Sequence, residues 1–391
     1  MRVLLAHNRY TQPSGEDVAF AAEAALLRRH GHEVIEFTRD NAAVEDLGRL
    51  ALLAHTVWSR QSYRELREVV ADNRVEVAHF HNTLPLISPA GLVAAKAAGA
   101  ATVQTLHNYR LLCPSAVLFR QGRPCHDCLG RRFALPGVRH ACYRGSRGAT
   151  AAVATMTAVH RLLKTWDRKV DRYIALTESG RRRFIEGGLP AAKLAVKGNF
   201  LADDPGAGAG GGGFALFAGR LAPEKGLDTL LRAWRVIGRR LPLQILGDGP
   251  LAERVRTEAR TTEGVEWLGS RPRDEVLRKM GEAALVVVPS EWEEPFGLVV
   301  IEAFAKGTPV VAAAIGALPS LVDEGRSGFL FPAGDAEALT ARVEEFLGLG
   351  ETGDRLRAAA RAAFAERHTA EVNYRRLMAV YEAARAQAGA R

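Results

Sequence analysis

The sequence predicts an α/β protein of two domains, each a parallel sheet wound with helices. Three observations point there. Short apolar runs alternate with segments of helical periodicity through both halves of the chain, as in strand–helix–strand units. The chain is 391 residues long, more than one hydrophobic core ordinarily serves. Residues 203–213 read DDPGAGAGGGG, a stretch with almost no side chains to pack, which marks a flexible linker and a boundary near residue 205.

Composition narrows the class. A hydrophobic share of 47% with 25% charged residues belongs to a soluble globular enzyme rather than a disordered chain. No apolar run approaches the ~20 residues that cross a bilayer. Met1 to His7 carries one charge and a very short apolar core, so it reads as a first strand and not a signal peptide, which places the protein in the cytoplasm. The net charge of +9 favours phosphorylated ligands or an anionic membrane surface as partners. Nucleic acid is not expected, because no helix-turn-helix, zinc-finger or RNP-type pattern accompanies the charge.

In the first half, strand 3–7 runs into a loop carrying Asn8, Tyr10, Ser14, Gly15, Glu16 and Asp17. A helix follows and stops at Gly31, and strand 33–37 comes next. A helical segment covers 47–70, then strand 75–80, helix 88–98 and strand 101–106. His81 ends one strand, and His107 with Asn108 ends the next. Parallel sheets bind ligands beyond the carboxyl ends of their strands, so the Asn8–Asp17 loop and these three residues are ligand candidates. Helix 150–165, strand 172–176 and a basic helix 181–186 complete this half. With Arg161, Lys164, Arg168 and Lys169, that region suits peripheral contact with the inner membrane face.

An irregular insertion, 111–146, holds every cysteine: Cys113, Cys125, Cys128 and Cys142. Disulfides do not persist in the cytosol, which leaves a four-thiolate structural zinc site, with His126 as a further ligand candidate, or four unligated thiols.

The second half repeats the alternation with strands 214–218, 243–246, 265–268, 285–289, 309–312 and 328–331. A long terminal helix over about 362–388 carries Tyr374, Leu377, Met378 and Tyr381 on one face. After strand 214–218, Gly219, Arg220 and Lys225 surround a turn into a helix. Glycine permits close backbone approach, the helix N-terminus favours an anion, and the two cations can hold a diphosphate. There is no G-K-[ST], so ATP hydrolysis is not indicated. Gly247 follows the next strand in a G-x-G, and Arg271 ends the one after, where it would edge a nucleobase.

The stretch 289–303 (PSEWEEPFGLVVIEA) organises the rest. Glu294 sits in the loop, Gly297 ends it, and Glu302 lies one turn inside a helix starting near Leu298. The first amides of that helix, on Leu298, Val299 and Val300, are expected to face a ligand. Free amides and two carboxylates suit a molecule with both phosphate oxygens and hydroxyls, such as a nucleotide sugar.

Gly219-Arg220-Leu221…Glu224-Lys225-Gly226 followed by Glu294-Pro295-Phe296-Gly297…Glu302 resembles the family 4 glycosyltransferases of the GT-B fold. His79-Phe80-His81-Asn82-Thr83 and Thr105-Leu106-His107-Asn108-Tyr109-Arg110 resemble the subgroup that builds cell-surface polysaccharides and related glycosides. The resemblance implies two Rossmann-like domains facing each other across a cleft. Residues 1–204 would bind the acceptor and 205–365 the donor, while 366–391 would form a terminal helix crossing back. It also implies retention at the anomeric carbon, no required divalent metal, and a glycan, lipid-linked or small-molecule acceptor. By position, Arg220 and Lys225 would hold the diphosphate, Glu302 the ribose hydroxyls and Glu294 the sugar hydroxyls. Phe296, Gly297, Leu298 and Val299 would offer backbone amides. His107 would sit near the anomeric centre, with Gly15, Glu16 and Asp17 near the acceptor. One departure is Lys197-Gly198-Asn199-Phe200, where the family often has P-N-G-V-D. The rivals are a sugar-nucleotide epimerase on the same plan and a non-catalytic nucleotide-sugar-binding protein.

Overall fold

The computed structural model describes residues 1–11, 14–44, 47–350 and 352–389. Residues 12 and 13 of the expected ligand loop, and 390 and 391 of the expected terminal segment, lie outside the described residues. Fourteen strands occur among the described residues. In the first part of the chain they are β1 Arg2–Arg9, β2 Glu33–Asp40, β3 Val77–Phe80, β4 Ala101–Leu106, β5 Phe119–Arg120, β6 Arg123–Pro124, β7 Arg172–Ala175 and β8 Leu194–Val196. In the second they are β9 Ala215–Ala218, β10 Leu243–Leu246, β11 Val265–Gly269, β12 Leu285–Val288, β13 Val310–Ala313 and β14 Gly328–Phe331.

The chain divides into two compact units. One comprises 1–118, 125–202 and 370–391, and the other comprises 119–124 and 203–369. The first unit holds a parallel sheet in the order β2-β1-β3-β4-β7-β8. Its strands β3 and β4 are buried at every residue, as expected where helices cover both faces. The second unit holds β11-β10-β9-β12-β13-β14, also parallel, which is the doubly wound order. Residues 119–124 form only a two-stranded hairpin within the insertion.

Helix Ala370–Gly389 packs in the first unit. Leu377, Val380, Tyr381 and Ala384 join Val3, Leu5, Val77, Val103 and Ile174 in one core. Each large apolar side chain so buried contributes about 1.5–3 kcal/mol. The expected single helix over 362–388 is two, because Thr352–Arg367 ends before His368 and Thr369, and the next helix starts at Ala370. The expected helix 47–70 is likewise two, Arg49–Val57 and Arg60–Asp72. Ser59 accepts from the Ser62 amide as the cap of the second, and its own amide donates to Ser88 Oγ at 2.9 Å. Strand β8, three residues long, was not expected.

The glycine run is not a loose tether. The amides of Gly208, Gly210 and Gly212 donate to the carbonyls of Lys306, Gly281 and Glu282 at 2.8–2.9 Å. The Arg357 guanidinium also donates to the carbonyls of Gly208, Gly281 and Ala283. A Cβ on Gly208 would stand 2.2 Å from the Gly281 Cα, so the strap lies flat only because it lacks side chains.

Candidate functional site

In the second sheet, β9 and β12 are neighbours, yet the chain leaves β9 toward β10 and β11 and leaves β12 toward β13 and β14. The loops after these two strands therefore emerge side by side at the switch point, where doubly wound sheets take their ligands. The Glu291 amide donates to the Glu224 carbonyl at 2.9 Å and Thr229 Oγ1 donates to Glu291 Oε1 at 2.7 Å, which ties the loops together. Gly226 stands at φ 70°, and a Cβ there would fall 1.8 Å from the Pro289 carbonyl oxygen. Only glycine allows this approach.

That contact sets Lys225 against Glu294. Lys225 Nζ lies 2.5 Å from Glu294 Oε1 and 5.3 Å from the centre of the Trp292 ring. Ser290 Oγ donates to the same oxygen at 2.6 Å, and Trp292 Nε1 lies 3.3 Å away. Glu294 is 4% exposed. Burial pushes its carboxyl up, but the Lys225 charge and the donors from Lys225, Ser290 and Trp292 outweigh it and hold the group below the usual carboxylate range. Oε2 makes no hydrogen bond among the described residues.

The other expected residues of this unit fall around the pair. Arg220 is mostly exposed and ion-paired with Glu224 in its own turn. Arg271 is exposed, 3.5 Å from Glu275. The Gly219 amide donates to the Leu246 carbonyl at 3.0 Å and the Gly247 amide to the Gly269 carbonyl at 2.9 Å, so both glycines are bonded into the strand ends. Gly297, at φ 106°, caps helix Leu298–Ala305 as expected. The Val300 amide is not open, because it donates to the Gly297 carbonyl at 3.0 Å; Leu298 and Val299 remain as the amides of the first turn. Phe296 is buried, its ring edge-on to His368 with centres 5.9 Å apart. Glu302 faces Arg273 at 3.0 Å, and burial pushes its carboxyl up against the pull of that guanidinium.

In the first unit, the polar residues gather at the ends of β1, β3 and β4, again beside the point where strand order reverses. Asn108 Nδ2 donates to Glu16 Oε1 at 2.6 Å and Tyr10 Oη to Glu16 Oε2 at 3.0 Å. Burial raises the Glu16 carboxyl despite both donors. Gly15 opens the following helix, Gly15–Arg29, and is exposed.

Two acceptor-side candidates have polar atoms already engaged within the fold. Asp17 closes a capping box on that helix, accepting from the Ser14 amide and Oγ, and takes His7 Nε2 at 2.8 Å; its oxygens are committed to the fold. His81 is buried, with its Nδ1 2.9 Å from His107 Nε2. Of the expected residues, His107, Asn108 and Glu16 stay together at the strand ends. Behind them the sequence reading missed Glu23 and Lys197, a buried ion pair. The signal for Glu23 was a lone charge in the helix stretch AFAAEAALL.

The four cysteines are free, with Cys113 and Cys128 buried. Burial foremost, and then the other three thiols, push the Cys128 thiol up to about 11, which makes the four neighbours. Among the described residues, however, the group that brings its ligand atoms within 4.8 Å of one another is Glu23, His79 and His81; the thiols are not drawn together to that spacing.

The second unit matches the family model "Glycosyl transferases group 1" over residues 206–363. Similar curated proteins include a glycogen synthase of Thermus thermophilus, 40% identical over 148 residues, and a D-inositol 3-phosphate glycosyltransferase of Streptomyces griseus, 37% identical over 166 residues. These matches cover 36% and 38% of this chain and 33% and 34% of the relatives, so the shared stretch spans about a third of their length. Among solved structures, Anabaena Alr3699/HepE in complex with UDP aligns over 98% of this chain and 100% of its own, with a TM-score of 0.70 and 19% identity. Sucrose-phosphate synthase from Thermosynechococcus elongatus aligns over 97% and 98%, with a TM-score of 0.71 and 18% identity. Likeness at that identity carries the fold, which is GT-B with two Rossmann-like domains. In the group 1 domain, the β9 and β12 loops with Lys225 and Glu294 lie wholly inside the matched residues.

Proposed function

We propose that the protein is a retaining glycosyltransferase that moves a sugar from a nucleotide-diphosphate sugar, UDP- or GDP-linked, to a hydroxyl of a glycan, lipid-linked or small-molecule acceptor. The observation that carries this reading is the Lys225–Glu294 pair at the switch point of a group 1 domain. In the transfer, the bond from the anomeric carbon to the phosphate oxygen breaks and a bond to the acceptor oxygen forms. The acceptor proton passes to the departing diphosphate. Lys225, with Arg220 turned inward from Glu224, stabilises the negative charge that develops there. One such contact is worth about 3–4 kcal/mol. These two cations do the work a divalent metal would otherwise do, so turnover is expected to survive a chelator. Glu294, kept ionised, accepts sugar hydroxyls through Oε2, and Glu302 accepts ribose hydroxyls on leaving Arg273. The UDP held by the similar Anabaena protein supports a uridine donor.

A surface feature supports an acceptor at a membrane. Leu162 is 82% exposed at the end of helix Arg147–Leu162, with Leu163 exposed beside it and Arg161, Lys164, Arg168 and Lys169 close to them in sequence. Apolar side chains ringed by cations suit an anionic lipid surface. No helix among the described residues is long and apolar enough to cross a membrane.

Thermal unfolding with UDP, GDP, ADP, dTDP and their common sugars tests the donor. A ligand at about a hundred times its Kd adds ~2.7 kcal/mol. A rise in Tm with one nucleotide supports the reading and names the donor. No rise with any would remove it. Conversion of donor without acceptor would favour the epimerase instead.

A further inference from the structure

Behind His107 runs a line of buried groups, all within the first unit, that the proposed transfer does not itself require. Lys197 Nζ is ion-paired with Glu23 Oε1 and lies 3.2 Å from Asn373 Oδ1. Glu23 Oε2 is 3.3 Å from His81 Nε2 and 3.5 Å from His79 Nδ1. His81 Nδ1 is 2.9 Å from His107 Nε2. The first three links are closed to solvent, since Lys197, Glu23, His79 and His81 are all buried. Glu23 Oε2 and His81 Nε2 face each other at 3.3 Å without a formed hydrogen bond, and neither atom has a hydrogen-bond partner elsewhere. His79 is otherwise engaged, with Nδ1 2.9 Å from Tyr381 Oη and Nε2 2.7 Å from Thr105 Oγ1.

The donors and acceptors give this line a direction. Lysine only donates and a carboxylate only accepts, so Glu23 receives from Lys197 on Oε1, and its lone acceptor Oε2 sets the facing His81 Nε2 as the protonated nitrogen. One carboxylate here already faces one ammonium. A second cation on His81 would be uncompensated in a buried place, so the ring is neutral. A neutral ring protonated at Nε2 must accept at Nδ1. His107 then donates its Nε2–H, and its Nδ1 carries a lone pair that makes no hydrogen bond among the described residues.

We propose that Glu23, paired with Lys197, is a positioning residue that acts through His81 to hold His107 as the Nε2–H tautomer, with Nδ1 presented as a hydrogen-bond acceptor. This rests on the transferase reading only for its use: an Nδ1 lone pair at the strand ends receives a hydroxyl proton donor from a substrate. The electrostatics agree. Burial pushes the Glu23 carboxyl up, but Lys197 and then the histidines hold it well below the usual range. Burial foremost keeps His107 well below an ordinary histidine, against the opposing pull of Glu23. The Glu23, His79 and His81 ligand atoms also suit a metal ion. The Lys197 ammonium on Glu23 and the two partners of His79 favour protons over a cation there.

The test is the position of the proton. Full-length protein labelled with ¹⁵N-histidine, free of nucleotide at about pH 7.5, is observed by long-range ¹H–¹⁵N correlation, with His107→Gln to assign the resonance. His107 is expected to be protonated at Nε2 and bare at Nδ1. Glu23→Gln keeps the shape, turns its carbonyl to Lys197 and its NH₂ to His81. The two links through His81 then reverse, and the His107 proton moves to Nδ1. In the same variant kcat is expected to fall about tenfold or more while the donor KM changes less than about twofold. A His107 protonated at Nδ1 in the wild type overturns the inference, whether or not the variant folds. So does a tautomer that Glu23→Gln leaves in place, or a flipped tautomer with unchanged kcat. A correct tautomer in a protein that transfers no sugar sinks the transferase reading and leaves the relay standing.

Discussion

The Lys225 ammonium lies 2.5 Å from Glu294 Oε1, and the two residues come from strand ends 69 positions apart in sequence. The pair exists because β9 and β12 adjoin at the reversal of strand order and because Gly226 lets one loop settle on the Pro289 carbonyl. A diphosphate arriving at this turn would compete with Glu294 for the ammonium. The pair therefore links binding of the phosphate to release of a carboxylate oxygen for the sugar.

Each partner is testable by substitution. Lys225→Ala and Glu294→Gln are each expected to cut turnover about 100- to 1,000-fold, the size of one lost transition-state contact. Glu294→Gln keeps the buried shape and its acceptor for Ser290, so its Tm should stay near that of the wild type. Lys225→Ala leaves a buried carboxylate without its cation and should lower Tm as well. Circular dichroism melts beside initial rates separate the two effects. Wild-type rates in both folded variants would overturn the site.

Much of this was legible in the chain. Strands β12 and β13 read as unbroken apolar runs because helices bury both their faces. Lys225 and Glu294 were legible from turn chemistry, since glycine, helix start and cations coincide there. Asp17 has a second reading that the chain also shows, since Ser14-x-x-Asp17 is a capping pattern. Glu23 and Lys197 were not legible as a pair. No local rule joins a helix residue to one 174 positions away, and only the closed sheet does so. The same holds for Arg273 with Glu302.

Acid should weaken the fold from an early point. Burial foremost lowers His7, His79, His107 and His160 below the ordinary histidine value of 6.5. Below that value the unfolded chain binds more protons than the folded one, so stability is full above it and falls as pH drops through it. The lowered carboxyls of Glu23 and Glu294 add a loss of the same sign at lower pH, while the raised carboxyls of Glu16 and Glu302 oppose it. With His32, likewise lowered by burial, five histidines against two raised carboxyls give a Tm that declines from about pH 7.5 to about pH 5.5. A flat or rising Tm over that range would contradict the burial of these rings.

Gly226→Ala should be far more harmful than the same change at an open left-handed turn such as Gly31. A side chain at φ 70° costs about 1–3 kcal/mol by itself. Its Cβ would also meet the Pro289 carbonyl oxygen at 1.8 Å, which only movement of the β12 loop relieves. Gly31 is the control, since it stands at φ 76° with nothing within 4 Å of its would-be Cβ. Denaturant melts should place Gly31→Ala within that range and Gly226→Ala beyond it, with loss of nucleotide binding. Equal costs at the two positions would mean that the β9 and β12 loops are not in contact.

The leucines at the end of helix Arg147–Leu162 give the last prediction. An exposed apolar pair beside four cations gains from lipid in two ways, by burying area and by neutralising charge, and only the second is screened by salt. Each basic residue near an anionic surface contributes about 1 kcal/mol. The full chain should therefore float with vesicles rich in phosphatidylglycerol and not with phosphatidylcholine alone, and raised salt should weaken but not abolish the association. Leu162→Glu with Leu163→Glu should release it at any salt without lowering Tm, because neither side chain packs in a core. Equal flotation with both lipids, or retention of the double variant, would place any membrane contact elsewhere.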